Sequence, residues 1–350
     1  AADLQGLLNR FVAAEELDGG VLLVSGPGGR QVVTAGIADR RSKRPVTPDS
    51  RFYIASIGKM AVAVAVMQMV EEGRLSLDQP VRPLLEGLPD IDRLANVKSA
   101  RLAHLLNHTS GIPDYLDEDF SNASAAAPRR VWTPATLMPF AYGLPATNKP
   151  GKRHEYSNSN YVLLGHLLEG LEGADLGRVL TRRVFERAGM TATTVGADPR
   201  DSTLAHGYAE GKDSSLTSWL ATTGDGPLVS TAGDLERFIL ALFRDHRLLG
   251  AETVRRMQAP ADAQGEYGLG MELWDDDWGK AFGHTGRYDG FEAEARYYPE
   301  HGTALLYITN GNQSSEESLL DKVAAAVFNK PAKSGTDQVR DRARHRLPTQ

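Results

Sequence analysis

From Met60 to Met67 the chain runs Met-Ala-Val-Ala-Val-Ala-Val-Met, almost without a polar break before Glu71, Glu72 and Gly73. A segment apolar on every side forms a buried helix. It falls well short of the roughly 20 residues a membrane span requires, and Gly73 supplies a C-terminal stop. Any fold must therefore close around this helix. Its mouth is polar: in FYIASIGKM, Ser56 and Lys59 stand three apart and share a helical face. A serine hydroxyl is a weak nucleophile until a neighbour takes its proton, and a lysine does so when burial or charge lowers its pKa. Capping the helix, Ser56 would also gain N–H groups and a dipole that favour a developing oxyanion. An S-x-x-K pair alone arises often by chance. A polar pair at the buried end of a helix costs desolvation, however, so partners are expected elsewhere.

Two segments offer them. In EYSNSNY, Tyr156 and Asn158 stand at i and i+2 and point the same way from extended backbone. Tyr156 would shuttle a proton, its phenol acidified by Lys59, and Asn158 would give its amide to Lys59 or a substrate carbonyl. The same residues also read as an ordinary helix N-cap. In the other segment, strand-like alternation around His284-Thr285-Gly286 is followed by Asp289-Gly290, a hairpin signal, and two more strand-like runs. This predicts an antiparallel sheet whose inner strand lines a cleft. There the N–H of Arg287 would complete an oxyanion hole with that of Ser56. A strand glycine marks a bulge or the close approach of another backbone.

In this order, Ser56-Ile57-Gly58-Lys59, Tyr156-Ser157-Asn158 and His284-Thr285-Gly286 resemble the serine penicillin-recognising enzymes, in the branch of class C β-lactamases, DD-carboxypeptidases and related esterases. The phrases LLNHTSGIPDY and GDGPLVSTAGDLERF resemble scaffold segments of that family, and the likeness covers roughly residues 5 to 330. It implies Ser56, Lys59 and Tyr156 as catalytic residues and Asn158, His284, Thr285, Gly286 and Arg287 as substrate-binding ones. Class A enzymes carry S-D-N and K-T-G instead. His-Thr-Gly implies a DD-carboxypeptidase-like or esterase-like member. A histidine with a reference pKa of about 6.5 is largely neutral near pH 7, unlike a lysine, and Arg287 either binds a carboxylate or narrows the cleft. The residues leave open whether Lys59 or Tyr156 is the acylation base.

The implied activity is a D-alanyl-D-alanine carboxypeptidase or D-amino-acid peptidase/amidase. A carboxylesterase or weak β-lactamase of the same fold is one alternative, and a non-catalytic penicillin-binding or sensor protein is another. The partner is a small-molecule or peptide substrate with an amide, lactam or ester carbonyl. No cofactor or metal is expected. His104 and His108 have i, i+4 spacing, but their leucine-rich surroundings point to structural hydrogen bonding. Asp275-Asp276-Asp277 reads as a solvated turn, lacking the alternating ligands of a calcium loop. The net charge of -6 gives no reason to expect nucleic acid, and oligomeric state is silent. There are no cysteines, hence no disulfide framework. The opening Ala1-Ala2-Asp3 fits a cleaved signal peptide and equally an edited terminus; a secreted or periplasmic location is the expectation.

For the architecture, Gly20 to Ala38 reads as a hairpin, Tyr267 to Gly311 as further strands, and the middle as mainly helical. The expected class is α+β, β-lactamase/transpeptidase-like. An antiparallel sheet flanked by helices forms one lobe from 1–55 plus 261–332, closed by a helix beginning near Glu316. Residues 56–260 form an inserted, mainly helical lobe, and 333–350 a disordered tail. Tyr115 to Arg130 and Gly211 to Gly226 read as loops that shape the pocket.

Overall fold

β1 (Gly19–Gly26) shows no alternation: Gly19 through Ser25 are all buried. A strand with this profile has both faces covered, and it lies inside a seven-stranded sheet. This computed structural model describes residues 1–198, 200–215, 220–226 and 228–329, with Leu220 and Ala221 described by backbone alone. The predicted 333–350 tail lies outside them.

The other strands are β2 (Gly29–Asp39), β3 (Arg44–Pro45), β4 (Glu272–Asp276), β5 (Gly279–Tyr288), β6 (Phe291–Tyr298) and β7 (Thr303–Thr309). Their order is β4-β5-β6-β7-β1-β2-β3, and every neighbouring pair is antiparallel. Turn chemistry sets the register. Gly26 pairs with Gly29 across Pro27-Gly28, and Tyr288 pairs with Phe291 across Asp289-Gly290, with Gly290 at φ +84°.

Each face of the sheet has its own cover. Leu22, Val24, Leu305 and Tyr307 pack against α1 (Leu4–Ala14) and α6 (Leu319–Val327). Val21, Leu23, Leu306 and Ile308 face a larger core that includes α2 (Gly58–Glu71), α4 (Asn158–Glu172) and α5 (Ala232–Phe243). In α2 every residue from Gly58 to Met69 is buried. Its Gln68 is paid for by two carbonyls, donating to Arg183 at 2.8 Å and Leu248 at 3.1 Å.

Three local expectations change. Tyr115 to Arg130 is not all loop: α3 (Glu118–Ala126) forms there because the Asp117 carboxylate accepts the Phe120 N–H at 2.9 Å and Glu118 and Asp119 put negative charge in the first turn. Gly211 to Gly226 carries short strand pairings at Lys212–Asp213 and Leu220–Ala221; residues 216–219 and 227 lie outside the described set. Asp275 and Asp276 belong to β4 rather than to a solvated turn, and Asp276 accepts from the Tyr298 hydroxyl at 2.7 Å. The closing helix starts at Leu319, with the Ser318 hydroxyl accepting from Leu320 N at 3.1 Å. Among the described residues no helix is long and apolar enough to cross a membrane.

Candidate active site

Ser56 does not cap α2. It sits inside a single 3-10 turn, Ala55–Ile57, that runs directly into the helix. Near the start of a helical turn its N–H lacks an intrahelical acceptor, which keeps the oxyanion reading of that group. Tertiary contacts hold the turn. Phe52–Tyr53 pairs with Leu228–Ser230, and Ile54 N donates to Leu228 O at 3.1 Å. Ala55 takes the left-handed conformation, φ +51°, a strained state of the kind that clusters at functional sites. Two backbones press against the turn at glycines. A Cβ on Gly286 of β5 would lie 2.4 Å from Ile54 O and 3.1 Å from Ser56 N, and one on Gly226 would lie 2.6 Å from Ala55 O. Only glycine permits both approaches.

Lys59 has no solvent exposure. Its Nζ donates to Ser56 Oγ at 2.9 Å, Asn158 Oδ1 at 2.7 Å and the Asp225 carbonyl at 2.6 Å. Burial pulls the ammonium down to about 8, against Asp225 and Asp114, which favour the charged form. Asp114 reaches Lys59 through Asn158: its Oδ2 accepts from Asn158 Nδ2 at 3.0 Å and Asn158 N at 3.2 Å. The same carboxylate thus caps α4, whose N-cap Ser157 makes no side-chain cap bond. Asn158 is the first helical residue rather than part of an extended run. Burial lifts the Asp114 carboxyl to about 6. Asp225 accepts from the Tyr115 hydroxyl and from Thr223 Oγ1, the latter at 2.7 Å.

The Lys59 ammonium lies 5.0 Å from the centre of the Tyr156 ring. The Tyr156 phenol is not acidified. Burial pushes it well above its ordinary range, with the Ser56 hydroxyl pulling the other way and the charges of Glu272 and Asp114 adding to the rise. Desolvation is the largest effect because the hydroxyl is cut off from water.

β5 brings the third motif. Gly286 abuts Ser56, while the His284 side chain is fully buried. His284 Nε2 lies 2.9 Å from Tyr267 Oη and its Nδ1 3.4 Å from Glu272 Oε1. Thr285 gives both its hydroxyl and its N–H, the latter at 2.9 Å, to Glu272 Oε1. Arg287 turns to its cross-strand partner Glu292 at 3.5 Å and to Gln313 O at 3.1 Å. Ser56, Lys59, Tyr156 and Asn158 thus converge, Gly286 abuts Ser56, and the side chains of His284, Thr285 and Arg287 are held by Tyr267, Glu272, Glu292 and Gln313.

The beta-lactamase family profile matches residues 4–330. The chain belongs to the beta-lactamase family. Penicillin-binding protein 4* of Bacillus subtilis (strain 168) is 27% identical over 94% of this chain and 76% of its own length. The D-aminopeptidase of Brucella anthropi is 28% identical over 83% of this chain and 56% of its own length. The crystal structure of D-amino acid amidase from Ochrobactrum anthropi SV3 complexed with D-phenylalanine superposes with a TM-score of 0.78 at 27% identity, covering 93% of this chain and 98% of that one. The fold is that of the family, and the family is one of serine hydrolases.

In this beta-lactamase family member, sequence reasoning missed Asp114, Tyr115, Asp225, Tyr267 and Glu272. The first three lie in the two phrases likened to scaffold segments, and Tyr115 and Asp225 also in the loops read as shaping the pocket, so a signal was present without a catalytic role. Tyr267 and Glu272 precede the His-Thr-Gly strand and carry no motif of their own. His108 lies past the helix Leu102–Leu106 at φ +58°, which breaks the helical spacing to His104. It meets Ser157 N at 3.2 Å and Asn160 Nδ2 at 3.0 Å. Among the described residues no cluster of three His, Cys, Asp or Glu could hold a metal.

Proposed function

We propose that this chain hydrolyses the peptide or amide bond beside a D-amino acid through an acyl-enzyme on Ser56. The observation that carries the reading is the contact of Lys59 Nζ with Ser56 Oγ at 2.9 Å, in surroundings that bring the ammonium to about 8. A neutral Lys59 amine takes the Ser56 proton, and Ser56 Oγ attacks the carbonyl carbon. The N–H groups of Ser56 and Arg287 receive the oxyanion. Collapse expels the amine, which takes its proton by way of Tyr156, and water then releases the acid from Ser56. Lys59 is the better base on pKa grounds, since the Tyr156 phenol is shifted far upward. The names of the relatives, a D-aminopeptidase and a D-amino acid amidase, support the substrate class.

The test is chromatography of D-alanyl-D-alanine peptides and of paired D- and L-amino-acid amides after incubation with the wild type and with Ser56→Ala. Release from the D-substrates alone, lost in Ser56→Ala, is the expected result; equal turnover by the variant contradicts the scheme. The specific observation favouring a second reading, a carboxylesterase, is that the Arg287 guanidinium is already engaged by Glu292 and Gln313. Preference for short acyl esters over D-peptides supports it. An exported location belongs to the proposal, supported by the penicillin-binding protein among the relatives, and cell fractionation tests it.

A further inference from the structure

β4 covers only part of β5. It pairs with Gly279 to Gly283, and past Gly283 that edge of β5 has no strand partner among the described residues. Thr285 turns its N–H to this edge, where it donates to Glu272 Oε1 at 2.9 Å. The N–H of Arg287, two residues on, leaves by the same edge, roughly 7 Å along the strand. Glu272, only 3% exposed, thus occupies the edge next to the place where the oxyanion is received. The same carboxylate oxygen takes the Thr285 hydroxyl proton. A hydroxyl has one proton to give, so both Thr285 donors are committed to a carboxylate that the chain itself supplies. The Arg287 guanidinium is committed in the same way, to Glu292 at 3.5 Å and Gln313 O at 3.1 Å.

On the Ser56 reading above, on which this rests, Tyr156 passes a proton to the leaving amine, so the leaving group lies beside that phenol. The Tyr156 ring centre is 6.4 Å from that of His284, whose Nδ1 is 3.4 Å from Glu272 Oε1. Among the charges acting on the phenol, that of Glu272 is the largest. We infer that Glu272 is a specificity-determining residue, a built-in carboxylate that fills the β5 corner beside the leaving group and turns away substrates whose leaving group carries a carboxylate there. The favoured substrates are D-amino-acid amides, and peptides in which the residue after the scissile bond has its carboxyl blocked or continued in the chain. A free C-terminal carboxylate must either displace Glu272 from Thr285 or face it, and like charges so placed are strongly disfavoured. Whichever protons the His284 ring carries, the two Thr285 donors remain committed.

Two dipeptides that differ only at the carboxyl test the role. Chromatography follows release of D-alaninamide from D-alanyl-D-alaninamide and of D-alanine from D-alanyl-D-alanine, by the wild type, Glu272→Gln and Ser56→Ala. In the wild type, kcat/KM for the amide is expected to exceed that for the acid at least about tenfold. Glu272→Gln keeps an acceptor for Thr285 and removes the charge, so the ratio should fall at least about threefold; comparing ratios cancels any intrinsic difference between the two leaving groups. A merely structural role would slow both substrates together. An unchanged ratio in Glu272→Gln, however slow that variant, overturns the inference, and so do equal wild-type values even if the variant fails to fold. Turnover surviving in Ser56→Ala instead overturns the nucleophile reading, and hydrolysis of neither dipeptide by the wild type overturns both.

Discussion

The Lys59 ammonium satisfies its three donors with Ser56, Asn158 and the Asp225 carbonyl. This arrangement stores the proton until pH or substrate draws it away. The active form on this account has a neutral amine, a fraction that grows as pH rises past the Lys59 pKa. kcat/KM therefore rises with pH through about 8. Tyr156→Phe lowers kcat by about 10² to 10⁴ through the lost proton shuttle but leaves that limb in place. A limb that vanishes with the phenol would transfer the base to Tyr156. Asp114 favours the charged ammonium, so Asp114→Asn lowers the Lys59 pKa and moves the limb to lower pH. A pH–rate profile with an unmoved limb separates Asp114 from Lys59. The Ser56–Lys59 pair was readable because its geometry is local to one turn. Asp114 and Asp225 were not, because their approach depends on segments far away in the chain.

The turn that carries Ser56 has its shape imposed by neighbouring elements. Leu228 takes the Ile54 N–H, and β5 and Gly226 crowd the turn at positions where a Cβ does not fit. Gly286→Ala is expected to force β5 away from Ser56 N, destabilising the fold by about 1–3 kcal/mol. It should also cost about 10² to 10³ in kcat if the oxyanion donors separate. Thermal unfolding and steady-state kinetics on the same sample check both, and unchanged kcat contradicts the oxyanion role of this strand. α2 and the two hairpins were legible from apolar composition and two-residue turns, which are short-range signals. The 3-10 turn and α3 were not: one is set by tertiary crowding, the other by a single Asp117 cap before a weakly amphipathic stretch.

Across the whole molecule, strands from both ends of the chain share one sheet, and a buried guanidinium ties its outer face together. Arg296 on β6, 3% exposed, meets Glu294 at 3.1 Å, Asp321 of α6 at 2.7 Å and Asp276 of β4 at 3.7 Å. Arg296→Ala leaves those carboxylates without their cation and should destabilise by about 3–5 kcal/mol, read as a lower urea midpoint. A midpoint within error of wild type removes Arg296 from the account of stability. The split sheet was legible from strand-like runs at both ends, whereas the ion cluster that locks it joins three elements and leaves no local pattern. The claim on which the functional account depends is that Ser56 is the nucleophile. It is tested most directly by intact-protein mass during exposure to benzylpenicillin, quenched at successive times, in the wild type and in Ser56→Ala. The account predicts a wild-type adduct equal to the whole penicillin, added without loss because ring opening keeps the leaving nitrogen attached, mapping to the peptide that contains Ser56 and absent from the variant. An adduct of equal yield in Ser56→Ala would contradict it.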